Sequence, residues 1–172
     1  MPSLPSPDAL AVREVPPAEH ASVVPLLLLA EPSARALRWS LANLSDVVYR
    51  ADLDGALVGA ATMRWRDDPC ELVELAVAEE AQGRGVGRAL VEWLLGEARR
   101  RGRSAMLVGT ANSSLGNLAF YQRCGFRMDH VRKDYFWYDR SGRSEHGIPT
   151  RDLLVFRYEL PARPTSPTAT GT

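Results

Sequence analysis

The stretch Gln82-Gly83-Arg84-Gly85-Val86-Gly87 sets three glycines within five residues, between two segments of different period. Ahead of it, ELVELAVA alternates, with Leu75 and Val77 on one face of a strand and Glu74 and Ala76 on the other. Behind it, Val86, Leu90, Trp93, Leu94 and Ala98 recur at three- and four-residue steps, the stripe of an amphipathic helix. Arg99, Arg100 and Arg101 suit the negative end of that helix, and Gly102 can stop it. A strand that enters a helix through so bare a turn places main-chain N–H groups at the positive end of the helix dipole, which makes a phosphate or pyrophosphate site. Glycine at such a junction also serves close packing, but each one costs roughly 0.5–1 kcal/mol against alanine in regular structure, a heavy load for packing alone.

Spacing separates the ligands that use such a turn. A Walker A loop needs G-x-x-x-x-G-K-[ST], and neither Lys-Ser nor Lys-Thr follows these glycines. A dinucleotide-binding turn needs G-x-G-x-x-G. Counted from Gly83, the third small residue falls on Arg88, and the next strand segment, ending LVGT, offers no acidic residue for a ribose.

With 172 residues, 45% of them hydrophobic, the chain can bury one full core and is short for two large domains. Its ends, MPSLPSP and PARPTSPTATGT, have little to bury, so residues 1–9 and 161–172 are expected to be disordered tails around one domain at 10–160. Lys plus Arg and Asp plus Glu both total 21, which leaves no net field to draw the chain onto nucleic acid or an anionic membrane. The longest apolar run, VVPLLLLA, is interrupted by Pro25 and is far shorter than a bilayer span. The N-terminus lacks the basic start and apolar middle of a signal peptide, so a cytoplasmic protein is expected. Cys70 and Cys124 have neither C-x-x-C spacing nor a nearby histidine pair; no disulfide or metal site is expected, and each reads as a small buried thiol.

Along the chain, ALAVREV reads as a strand, Pro16 and Pro17 open a helical stretch to about Leu29, and PSARALRWSLANL follows as a second helix with Ser33 near its start. DVVYRADLDGALVGAATMRW reads as two strands joined at Asp54-Gly55, and ELVELAVA as a third. After the glycine-led helix come a buried strand at SAMLVGT, a short helix at SLGNLAFYQRC ended by Gly125, and strands at FRMDHV and DLLVFRYEL. This order predicts an α/β or α+β domain with a mixed sheet of about seven strands and about four helices.

Gln82 to Gly87 also matches Q/R-x-x-G-x-G/A, set within ELAVAEEAQGRGVGRAL, with LAFYQRCGF about one strand and one turn later. In these features the chain resembles the GNAT superfamily of N-acetyltransferases over roughly Leu10 to Leu160. The resemblance implies the GNAT acyl-CoA N-acyltransferase fold, acetyl-CoA as co-substrate without a metal, and acetyl transfer to a primary amine by direct attack in a ternary complex. The amine could belong to a small molecule or a protein, and monomer and homodimer both stay open. The alternative is a catalytically silent GNAT-like module that binds acyl-CoA as a sensor or interaction partner; Tyr121 beside a complete pyrophosphate loop argues against it.

By the same resemblance, the backbone of Leu75, Ala76 and Val77 would receive the pantetheine arm between two splayed strands, and Gln82, Gly83, Arg84, Gly85, Val86, Gly87 and Arg88 would hold the pyrophosphate. Arg84 and Arg88 either add charge-assisted phosphate contacts or face solvent. Tyr121 matches the family tyrosine that protonates the departing thiolate, and its ordinary pKa of about 10 keeps it a donor. Glu74 could accept the amine proton or be a solvated strand carboxylate, with Glu71 in reserve on the opposite face of a regular strand. A glutamate used by some relatives on the next strand is replaced here by Gly109. The pantetheine-binding asparagine of many relatives is replaced by Ser114, with Asn112 and Asn117 flanking it; any of the three could take the role, or Ser114 could cap the helix. The run Tyr135, Phe136, Trp137 and Tyr138 would wall the acceptor pocket or fill the core.

Overall fold

The chain enters the sheet through β1 (Ala11–Val15), turns through a 3-10 segment (Pro17–Ser22) into the short α1 (Val24–Leu27), and continues as α2 (Ala34–Asn43), β2 (Val47–Leu53), β3 (Ala56–Arg64) and β4 (Cys70–Val77). A second 3-10 turn (Glu79–Ala81) leads to α3 (Val86–Arg100), β5 (Ala105–Ala111), α4 (Leu115–Arg123), β6 (Arg127–Arg132), β7 (Ser144–Glu145), β8 (Ile148–Pro149) and β9 (Leu153–Glu159). The computed structural model describes residues 10–161, and the expected tails, Pro161 apart, lie outside the described residues.

Seven strands form one mixed sheet in the order β1-β2-β3-β4-β5-β9-β6. Every neighbouring pair is antiparallel except β4 and β5. The expected sheet and the four helices are therefore present, and β7 with β8 adds a separate two-stranded hairpin that the sequence pattern left as a connection. Asp54 and Gly55, at φ 51° and 80°, close the β2–β3 hairpin as their residue types demand. Ser33 caps α2, its hydroxyl accepting the Ala36 N–H at 3.2 Å. The helical stretch expected from Pro17 to Leu29 is instead a 3-10 segment and a single α-turn. Pro25, which lacks an N–H, sits in the first turn of α1, where that loss is tolerated, so the helix starts afresh there.

Helices cover both faces of the sheet. On one side, Val86, Leu90, Leu94 and Ala98 of α3 are buried against Met63, Leu72, Leu75 and Val77. Full burial of each leucine contributes about 1.5–3 kcal/mol. Trp93 is only partly buried and meets Tyr49 edge to face, with ring centroids 5.3 Å apart. Gly102, at φ 67°, ends α3 while the Arg103 N–H bonds to the Ala98 carbonyl at 3.0 Å. On the other side, Val23 and Leu27 join Leu37 of α2 over Val48 and Ala60. Cys70 is buried and its thiol is pushed up to about 12 by desolvation, whereas Cys124 is only half-buried, contrary to the expectation of two core thiols. No helix among the described residues is long and apolar enough to cross a membrane.

Candidate active site

β4 and β5 run parallel but pair only at Cys70–Met106, Glu71–Leu107 and Leu72–Val108. The pairing stops where β4 bulges: Thr62 of β3 faces Glu74, Met63 faces Leu72, and Val73 is left as the extra residue. Beyond that point β5 stays with β9 as far as Ala111, and the facing edges of β4 and β5 part. The Ala78 N–H donates to the Val58 carbonyl at 2.9 Å, so by antiparallel alternation Ala76 exchanges its peptide bonds with Ala60. Leu75 and Val77 therefore turn their main-chain groups towards the open edge. Ala76, expected to act with them, has its peptide groups committed to β3.

The glycine-rich turn lies beyond the end of β4. Gln82 Nε2 donates to the Val77 carbonyl at 3.0 Å, so its side chain ties the turn to the strand. Gly83 and Gly85 take φ of 70° and 82°, left-handed values that side chains resist. Gly85 is the N-cap of α3. Among the described residues, the amides of residues 83–88 make no hydrogen bond; the first amide of α3 that does is Ala89, which donates to the Gly85 carbonyl at 3.0 Å. Arg84 is exposed, and exposed Arg88 pairs with Glu92 at 2.9 Å. The result is a row of unsatisfied donors at a helix N-terminus.

Glu74 is not a solvated strand carboxylate. It is 8% exposed, on the face of the sheet that carries α2, and its two oxygens accept the hydroxyls of Ser40 and Thr62. Burial pushes its carboxyl above the ordinary range, and the two hydroxyl bonds pull the other way. Glu71 lies on the same face, contrary to the regular-strand expectation, because the extra residue Val73 resets the alternation. Glu71 binds Arg64, which lies opposite it in the ladder, and both Glu71 and Glu31 act on Glu74 electrostatically.

Tyr121 is buried at 6% exposure among Phe120, Phe126 and Phe156. Desolvation raises its phenol well above the ordinary 10, which keeps it protonated. Asn112 is engaged at both ends of its amide: Nδ2 donates to the Pro149 carbonyl at 3.0 Å, and Oδ1 accepts the Arg151 and Asp152 N–H groups at 2.9 and 3.0 Å. Ser114 donates to Glu145 at 2.9 Å and makes no side-chain cap on α4, while Asn117 is exposed on that helix. Gly109 leaves no room for a side chain, since a Cβ there would lie 2.6 Å from Leu153 Cδ2.

The aromatic run divides. Phe136 is buried with Leu153 and Val155, Tyr135 and Tyr138 are partly buried against them, and Trp137 is 80% exposed. Tyr138 donates to Glu31 at 3.0 Å, which fastens the segment after β6 to the connection between α1 and α2. Burial pushes the Tyr135 phenol above its ordinary range, with Glu71, Glu74 and Glu31 acting in the same direction and Arg132 against them. Sequence reasoning missed Ser40, Thr62, Glu31 and the partly buried Ser113–Thr150 pair at 2.7 Å. Each owes its place to a long-range contact that no local spacing encodes.

Residues 19–126 match the model of the acetyltransferase (GNAT) family. The N-acetyltransferase YvbK of Bacillus subtilis strain 168, described as uncharacterized, is 35% identical over 138 residues, covering 78% of this chain and 87% of that protein. A crystal structure of a GNAT family acetyltransferase from Elizabethkingia anophelis with acetyl-CoA bound superposes with a TM-score of 0.77 at 28% identity, covering 89% of this chain and 99% of that one. A Bacillus subtilis acetyltransferase in complex with CoA gives 0.78 at 29% identity, covering 88% and 99%. Together with the parted strands and the bare turn, these likenesses show that the chain belongs to the GNAT family of acetyltransferases.

Proposed function

We propose that this acetyltransferase moves an acetyl group from acetyl-CoA to a primary amine by direct attack within a ternary complex. The observation that carries the reading is the parting of β4 and β5 after Leu72 and Val108, with the unsatisfied amides of residues 83–88 following the open end of β4. These residues fit the ligand: the amides suit a pyrophosphate, and the exposed main-chain edge at Leu75 and Val77 suits an arm built from amides, taken up as an added strand would be.

Bound acetyl-CoA would supply an activated thioester. Gly83 to Arg88 anchor its charged end through main-chain donors, and Gln82 holds their turn against Val77. Leu75 and Val77 align the arm. Attack forms a C–N bond and breaks the C–S bond, so one proton leaves the amine and one is needed at sulfur. Tyr121, kept protonated by burial, gives its proton to the departing sulfur. Glu74, its basicity raised by burial, accepts the proton of the amine. The aromatic and acidic surroundings formed by Tyr135, Tyr138, Glu31 and Glu71 border the acceptor side.

A thiol-release assay with acetyl-CoA across a panel of small primary amines and amine-bearing peptides tests this. Release that depends on the amine supports the reading. Tight CoA binding without release across the panel would replace it with an acyl-CoA sensor.

A further inference from the structure

The Glu74 carboxylate sits in a clamp. Ser40, in the last turns of α2, donates its hydroxyl to one oxygen, and Thr62, directly opposite Glu74 in the β3–β4 ladder, donates to the other. Thr62 Oγ1 also accepts the Glu74 main-chain N–H at 3.1 Å. That second bond settles the direction of the first: with its oxygen engaged by an N–H donor, the hydroxyl proton of Thr62 points to the carboxylate. Ser40 is 6% exposed and Thr62 is fully buried, so water does not substitute freely for either donor. A carboxylate oxygen has two lone-pair sites, and each oxygen of Glu74 keeps one free.

We propose that Ser40 and Thr62 are positioning residues for acetyl transfer, holding Glu74 in one orientation, with its free lone pairs turned to the acceptor, and favouring its charged, proton-accepting form. The inference rests on the reading of Glu74 as the base. The groups that share its surroundings are Glu31 from the α1–α2 connection, Glu71 on β4 with its partner Arg64 on β3, and Tyr135 after β6. Two of these are acidic and oppose ionisation of Glu74, as does burial; the hydroxyls supply the opposing stabilisation. The bulge at Val73 gives the clamp its geometry, since it turns the Glu74 side chain towards α2 while Leu72 stays with the α3 core. The same residue that ends the β4–β5 pairing therefore also delivers the carboxylate to its two donors.

The test is a carboxyl carbon-13 NMR titration of the free protein labelled in glutamate, with the Glu74 signal assigned by its loss in Glu74→Gln. Thr62→Val removes one charge-assisted donor and is expected to raise the Glu74 midpoint by about one pH unit. Thr62→Ser should restore it, and Ser40→Ala should raise it by a similar amount, which gives a second reading if the buried valine prevents folding. With the fastest amine of the panel, the acid limb of kcat/KM should move with the midpoint, so that Thr62→Val is about tenfold slower on the acid side and near wild type above it. A purely structural clamp would lower Tm and leave both the midpoint and the limb in place, and that result overturns the proposal. A midpoint that moves while the acid limb stays fixed removes Glu74 as the base, and with it any catalytic purpose for the clamp.

Discussion

The ring edge of Phe120 lies against the backbone of Gly87: a methyl group there would stand 3.3 Å from Phe120 Cζ and 3.4 Å from Val77 Cγ2. Gly87 thus lets α3 start close to β4 and α4, while Gly83 and Gly85 serve the turn itself. Alanine is about 1 kcal/mol better than glycine inside a helix, which offsets a contact this slightly tight. Gly87→Ala should leave stability within about 1 kcal/mol of wild type, as read by urea unfolding, and should still bind CoA.

Gly85→Asp behaves differently. Its φ of 82° is strained for a side chain, and a carboxylate is placed at the helix cap, in the proposed pyrophosphate site. Calorimetric titration with CoA should show no heat, while the circular dichroism spectrum stays that of the folded protein.

Tyr121→Phe keeps the ring packed among Phe120, Phe126 and Phe156 and removes only the hydroxyl. CoA affinity and Tm should stay close to wild type while kcat falls about 100-fold or more. An unchanged kcat would take the residue out of the proton transfer.

The pH dependence of stability follows from Glu74. Its carboxyl, raised above the ordinary 4.5, binds protons more tightly in the folded state than in the unfolded one. The stability it contributes is therefore whole below about pH 4.5 and is lost as pH rises through the folded value. Glu74→Gln has no such titration. Thermal melts from pH 4.5 upward should show the difference in Tm between the variant and wild type moving in favour of the variant until the folded value is passed, and constant beyond it.

Asn112→Ala should loosen the segment that precedes β9. It deletes one donor and one acceptor that together satisfy three main-chain groups, for a cost of about 1–3 kcal/mol. Limited proteolysis should then cut within residues 143–152 faster than in wild type. Asn117→Ala, at an exposed position with no such bonds, should do neither.

Much of the fold could be read in advance because its signals are local. The Asp54-Gly55 turn, the Ser33 cap and the α3 stripe from Val86 to Ala98 each follow from residues within a few positions of one another. The turn from Gln82 to Gly87 was legible for the same reason. The bulge at Val73 was not, since nothing in ELVEL marks which residue will lose its partner, and that one residue decides the faces of Glu71 and Glu74. The hydrogen bonds of the pantetheine candidates Asn112 and Ser114 were hidden for a related cause. Their partners, Pro149, Arg151, Asp152 and Glu145, are more than 30 residues away in the chain, so their engagement could not be foreseen.

The position of β9 has a consequence for assembly. It is the last described strand in the chain, yet it lies between β5 and β6, and β5 has only three residues in register with β4 to hold it otherwise. During synthesis, then, β1 to β4 can already zip together while β5 and β6 wait for a wedge that emerges last. A chain halted before Leu153 would leave β4 and β5 unlatched with the edge of β5 bare, a target for chaperones and proteases rather than a weakened enzyme.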